Sequence, residues 1–341
     1  MDALSNISQI SFTQIILPFL VALTSTLVIL PYVIKVARDK KLFDIPNERK
    51  IHTALIPRFG GFAIFFGLIV SVLMFMDSFG SFSFFYLFTA IIILFSIGII
   101  DDVKGMRAMD KFYVQILAAF IVAYGGFRLE SLYGLFGIYE LPIGVQYILT
   151  TLIIVGVTNA YNLIDGIDGL AGGIGLINFV VLGMIFLHLN NLSFAIISFV
   201  FAGSILGFLT FNFQPAKIFM GDAGSLIVGF SMISIGIYAI NNNEIVSNMR
   251  YVTNINIIIG SIVFLPVIDT LRVFFLRLIH KKSPFTPDKN HIHHILLNQG
   301  LNHRNSSLML YAANILIIIM GFILKDISID KSFVNLFYLS H

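Results

Sequence analysis

Cysteine is absent from the 341 residues, which excludes a disulfide framework and any thiolate metal site, and removes any redox argument about compartment. Tryptophan is absent too, so the 12 Tyr and 35 Phe must supply whatever aromatic belt meets a membrane interface. Charge is scarce: 11% of residues are charged against 57% hydrophobic, and the mean hydropathy is +0.93. A soluble domain carries about 25% charged residues, so the chain is read as a membrane protein. Its formal net charge of +3 is too small to point to nucleic acid. Without internal repeats, low-complexity tracts or linkers, residues 1–341 are read as one integral-membrane domain.

What the chain has instead is long apolar runs. A hydrocarbon core of roughly 30 Å takes about 20 helical residues to cross. Ten runs meet or approach that length: 12–34, 59–76, 84–100, 112–126, 145–160, 170–187, 193–211, 225–240, 255–276 and 308–324. The expected fold is therefore all-α, a polytopic bundle of about ten transmembrane helices. Residues 1–11 carry Asp2 but no Lys or Arg, so the first run is read as a true span and not a cleaved signal. The loops 35–58, 101–111, 159–169 and 212–224, with the region from Arg272 to 307, hold 17 of the 21 basic residues. The positive-inside rule makes that set cytoplasmic and puts both termini outside.

The same parity gathers the unusual polar clusters on the cytoplasmic side. Asp101 and Asp102 follow 17 uncharged residues, Phe84–Ile100. Paired carboxylates at a helix end meet the negative pole of the dipole and need a cation, from Lys104, Arg107, Lys111 or Mg²⁺. In NAYNLIDGIDG, Asn159, Asn162, Asp165 and Asp168 recur every third residue, which predicts one side of a helical turn. Their oxygens suit Mg²⁺ or the edge of a nucleotide base, and Gly166 and Gly169 let backbone approach a ligand. Asp222 stands between glycines just before an apolar run, where a helix N-terminus favours an anionic ligand. The run HIHH holds His291, His293 and His294. Without cysteines, and with adjacent rings expected to diverge, these histidines suit phosphate and sugar better than zinc. Asp269 is the one acid inside a span, and Arg272 at i+3 is its expected partner. Plainer readings stand beside these: a solvated helix stop at Asp101, a capped glycine turn at 159–169, and an ordinary N-cap at Asp222.

Together the clusters resemble the polyprenyl-phosphate N-acetylhexosamine-1-phosphate transferases, glycosyltransferase family 4. The likeness rests on the Asp101-Asp102 pair, NAYNLIDGIDGL at 159–170, PAKIFMGDAGS at 215–225 and the histidine run, in family order, with IPRFGG at 56–61 a weaker match. SPFTPDKNHIHH resembles the bacterial branch that loads undecaprenyl phosphate with GlcNAc-1-phosphate to begin a cell-surface polysaccharide such as O-antigen. Only residues 325–341 follow the tenth run, whereas some members of that branch carry an eleventh span.

The resemblance implies an inner-membrane enzyme whose Mg²⁺, replaceable by Mn²⁺, is held by Asp222 and Asn162. It implies that Asp101 orients or deprotonates the lipid phosphate, that Asp102 supports metal or phosphate positioning, and that Lys111 holds the lipid phosphate, with Asp165 also in the catalytic set. Phe219 would stack on uracil, with Asp168, Asn159 and the Gly166 backbone on the nucleotide. His291, His293, His294 and Arg277 would hold the pyrophosphate and sugar. The expected partners are a UDP-sugar donor, undecaprenyl phosphate and the membrane; a homodimer is allowed and nucleic acid is not expected. The rival reading is a secondary transporter, whose polar residues should sit mid-span and whose halves should repeat. Here the polar residues cluster at span ends.

Overall fold

The structure is a computed structural model that describes residues 12–40, 56–133, 138–245, 252, 254–281 and 290–326. Among the described residues ten long helices fall on the ten apolar runs: α1 Phe12–Asp39, α2 Gly60–Met74, α3 Phe82–Lys104, α4 Ala108–Tyr124, α5 Ile143–Ile164, α6 Leu170–His188, α7 Leu192–Asn212, α8 Gly221–Ile245, α9 Ile255–Ile279 and, after the short α10 Ile292–Asn298, α11 His303–Leu324. Among the described residues, eight of them are long and apolar enough to cross a membrane. α2 is a shorter apolar helix of 15 residues, and α4, with 17, carries Asp110 and Lys111 in its first turns. A helix satisfies its backbone polar groups internally, which is why apolar segments adopt it in hydrocarbon. The chain is an integral membrane protein.

α8 is the axis. It is almost wholly enclosed, whereas α1 and α11 lie at the rim, and it packs against α2, α3, α5, α6 and α9. At one end of the bundle, aromatic rings fill the space around it. Phe194 stacks on Tyr238 of α8 at 3.9 Å and on Phe84 at 4.5 Å, with Phe127 and Phe186 beside them. At that end three consecutive side chains of α8 each tie a different connection. Asn241 donates to the Arg128 carbonyl, Asn242 accepts from Asn191, and Asn243 brackets the backbone of Val252. Deeper in the bundle, Asn178 of α6 donates to the Ile262 carbonyl of α9 and accepts from Asn314 of α11, both at 2.8 Å.

Helix ends depart from the expected spans. α3 runs on through Asp101 and Asp102 to Lys104, because the pair is paid for by partners on other helices, described below. α5 continues to Ile164, so Asn159 and Asn162 lie on its last turns and the chain turns only at Asp165–Gly169. Hence Asn159, Asn162, Asp165 and Asp168 do not share one helical side. The helix ends between the second and third, and the turn sends Asp168 toward α11.

Candidate active site

The opposite end of the bundle gathers the polar clusters. Asp102 accepts from the backbone N–H groups of Asp222 (2.8 Å) and Ala223 (3.1 Å), so a carboxylate at the C-terminal end of α3 caps the N-terminus of α8. A helix leaves its first N–H groups without internal partners, and an acid there also meets the positive end of the dipole. Asp222 itself was a candidate N-cap. It sits instead in the first turn of α8, its side chain released for other work.

That side chain is the centre of the site. Its Oδ2 receives the Lys111 ammonium at 2.7 Å, and its Oδ1 lies 3.4 Å from the Asn162 amide, which also donates to Ser225 Oγ at 2.7 Å. Lys111 reaches Asp101 as well, at 3.1 Å, while the other Asp101 oxygen accepts from the Met106 N–H at 2.6 Å. One ammonium is therefore bracketed by two carboxylates from α3 and α8. Asn159 lies a turn deeper, paired with Gln115 of α4.

The first loop packs directly on this centre. Gly60 and Gly61 N–H groups donate to the carbonyls of Phe219 and Met220, and Phe219 N–H donates to the Pro57 carbonyl, so the 219–220 backbone caps the N-terminus of α2. A side chain on Gly61 would collide with the backbone of Gly224, and one on Gly221, where φ is +74°, would meet the Arg58 carbonyl and the Asp102 carboxylate. The Phe219 ring is half-buried on a backbone held from both sides.

Asp165, just beyond α5, is partly enclosed. Burial lifts its carboxyl to about 7, with the charges of Asp222 and Asp168 adding to the rise and that of Arg58 opposing it. Near neutral pH it can therefore hold or release a proton. Asp168 is buried and turned into the protein: Oδ2 accepts from the Ala216 N–H at 3.0 Å, and Oδ1 lies 3.2 Å from His303 Nδ1. Its carbonyl accepts from Ser307, and Tyr311 donates to the Gly169 carbonyl. In this structure Asp168 thus locks the turn to the 215–216 loop and to α11.

The histidines lie on α10 and its approach. The His293 ring rests on Gly166, where any side chain would collide with it. It is buried, neither ring nitrogen has a hydrogen-bond partner among the described residues, and burial, with the neighbouring His294 charge, pushes it from 6.5 down to about 3. The rings of His293 and His294 lie 4.2 Å apart, so the expected divergence does not hold; both stand in the first turn of the seven-residue α10, each with the His291 ring within 6.4 Å. Even so, among the described residues no group of three or more His or acidic side chains is disposed to hold a metal. His291 Nδ1 lies 2.8 Å from Asp269, which Arg272 also reaches, as its i+3 spacing predicted. Arg277 is buried in the last turn of α9 with its guanidinium over the Phe274 ring.

The structure brings Asp101, Asp102, Lys111, Asn162 and Asp222 into one connected set, with Asp165 beside Asp222 and His293 on Gly166. Sequence reasoning missed Arg58, Gln115, Ser225 and His303. Gln115, a lone amide in an apolar run, carried a signal, and Arg58 and Ser225 stand within the IPRFGG and PAKIFMGDAGS stretches; His303 carried none.

Carboxylates, an amide and cations meeting at one end of a polytopic helical bundle define a membrane enzyme that handles anionic groups where hydrocarbon gives way to water. Residues 84–240 match the family described as Glycosyl transferase family 4. The chain is 34% identical, over 337 residues, to the probable undecaprenyl-phosphate N-acetylglucosaminyl 1-phosphate transferase of Bacillus subtilis, covering 96% of this chain and 89% of that protein. It is 34% identical over 291 residues to the decaprenyl-phosphate N-acetylglucosaminephosphotransferase of Mycobacterium tuberculosis H37Rv, covering 78% and 71% of the two chains. With the undecaprenyl-phosphate alpha-N-acetylglucosaminyl 1-phosphate transferase of Escherichia coli K12 it shares 32% over 293 residues, covering 84% and 77%. The chain belongs to glycosyl transferase family 4.

Proposed function

We propose that the chain transfers N-acetylglucosamine 1-phosphate from UDP-GlcNAc to a polyprenyl phosphate, undecaprenyl phosphate in the first instance. A lipid phosphate oxygen bonds to the β-phosphorus of the donor, the bridging P–O bond breaks, and UMP leaves. The observation that carries the reading is the Asp101–Lys111–Asp222 bridge at the end of apolar helices. Two anionic reactants must be aligned there and their charge neutralised, and phosphoryl transfer is mostly that. The names of the relatives supply the sugar and the lipid.

The residues fit Mg²⁺. The ion prefers one or two carboxylates completed by substrate phosphates to an all-protein cage. Asp222 with Asn162 is such a partial donor set, and the Lys111 ammonium already shows that the space beside Asp222 accepts a cation. Bound there, Mg²⁺ would neutralise diphosphate charge. Lys111 and Asp101 then face the lipid phosphate, and Phe219, on the 212–224 loop, takes the uracil. His293, neutral and without a hydrogen-bond partner among the described residues, offers hydrogen bonds to the sugar phosphate. The charge distribution supports a cytoplasmic site with the starts of α1 and ends of α11 facing outside, and the product suits initiation of a cell-surface polysaccharide.

The test is to incubate purified protein with Mg²⁺, undecaprenyl phosphate and a panel of UDP-sugars, following UMP and the lipid product. UMP release with UDP-GlcNAc that requires the lipid is expected. Release with no lipid dependence, or none with any donor, refutes the reading.

A further inference from the structure

The family match at residues 84–240 ends before Asp269, yet this carboxylate inside α9 reaches the histidine segment twice. Its Oδ2 lies 2.8 Å from His291 Nδ1, and its Oδ1 accepts from the Ile292 N–H at 2.9 Å and from Arg272 at 2.9 Å. Arg272 also donates to the Asn290 carbonyl. One turn of α9 thus grips residues 290–292 by ring, amide and carbonyl. Asp269 is 3% exposed and His291 5%, so this grip is held out of water, where a broken hydrogen bond to a charged group costs most.

Asp269 Oδ1 already accepts from the Arg272 guanidinium and the Ile292 N–H, the pairing of a carboxylate that only accepts. His291 must therefore carry its hydrogen on Nδ1, which leaves Nε2 as the nitrogen that meets a ligand. The His291 ring lies parallel to that of His293, 5.8 Å away at 6°, and His293 rests on Gly166. We propose that Asp269 is a positioning residue for the transfer: it fixes the Nδ1–H form of His291 and sets the histidine segment in register on the glycine turn beside Asp165. Arg272 completes the clamp. The turnover consequence rests on the proposed transferase reading; the ring hydrogen does not.

Asp269→Asn keeps the shape but supplies an amide that can donate to Nδ1 and favour the Nε2–H form. The experiment labels the histidine rings with ¹⁵N, assigns His291 by its loss in His291→Gln, and reads the tautomer in wild type and in Asp269→Asn. UMP release gives kcat and donor KM for both. Expected are the Nδ1–H form in wild type, the Nε2–H form in the variant, and a kcat lower by about 10- to 100-fold with donor KM within about twofold. Asp269→Glu should restore the Nδ1–H form and part of the turnover. A wild-type His291 bearing hydrogen on Nε2 overturns the proposal even if Asp269→Asn does not fold. So does a folded variant that keeps the Nδ1–H form or full turnover. A wild type inactive with every donor but showing the Nδ1–H form that Asp269→Asn loses refutes the transferase reading and leaves the clamp standing.

Discussion

Asp222 is the side chain on which most other groups of the site converge. Its backbone N–H is held by Asp102 whatever its side chain, so Asp222→Ala should leave α8 capped and the protein folded. It removes the anchor shared by Lys111 and Asn162, and UMP release should fall by at least about a hundredfold, the scale of losing one preorganised electrostatic group. Excess EDTA should do the same to wild type. Phe219 and Asp101 should separate recognition from turnover. The Phe219 backbone is fixed by Pro57 and Gly60, so Phe219→Ala loses only the ring, and stacking worth about 1–3 kcal/mol predicts roughly ten- to hundredfold weaker UDP-GlcNAc binding by calorimetry. Asp101→Asn should keep that affinity and lower turnover. His293 makes a pH prediction. With its folded value near 3 and an ordinary value of 6.5, the unfolded chain binds more protons between those values. Stability from the buried neutral ring is whole above pH 6.5 and is lost as pH falls toward 3, by roughly 2 kcal/mol at pH 5. The unfolding midpoint in detergent should drop from pH 7 to 5, and His293→Gln should flatten that slope.

Among the helices, the link with most leverage is Asp102, which belongs to α3 and caps α8. Asp102→Ala leaves two first-turn N–H groups bare, and loss of a cap costs about 0.5–2 kcal/mol. Thermal unfolding should register that cost, and because Asp222 sits on the same turn, turnover should fall too. The link shows why helix existence was legible in the sequence and helix function was not. Ten apolar runs announce ten helices because hydrocarbon demands both length and apolarity. The adjacent acids at 101 and 102 read as one motif, yet one serves Lys111 and the other a helix that starts 119 residues later. Asp165 and Asp168 parted likewise, since spacing by three implies a shared face only while the helix lasts. The Asn178–Asn314 bridge between α6 and α11 left a lone amide in each apolar run as its signal, but nothing in the sequence named the partner. Interhelical hydrogen bonds in membranes are worth about 0.6 kcal/mol on average, so Asn314→Leu should destabilise only mildly.

At the scale of the whole molecule, the site end and the aromatic, asparagine-tied end face opposite sides of the bundle. Asp77 and Lys104, both exposed, lie just outside and just inside the two ends of α3. In a chain with no native cysteine, Asp77→Cys should react with an impermeant maleimide from outside the cell, and Lys104→Cys only after the membrane is opened. Labelling of both from one side would contradict ten crossings. Residue 283, in the long basic loop, would be a natural third probe but lies outside the described residues.

The clamp between α9 and the histidine segment also has a consequence for the order of synthesis. A ribosome makes the chain from its N-terminus, so Asp101, Lys111, Asn162 and Asp222 can meet as soon as α8 has entered the membrane. The histidines cannot join them until Asp269 has been made and then residues 290–292 have folded back onto it. A nascent chain arrested within the connection after α8 therefore has its acid cluster assembled and its histidines missing. The histidines are the last of the expected site residues to be translated, so on the proposed reading the acid cluster waits for residues 290–292 to dock on Asp269.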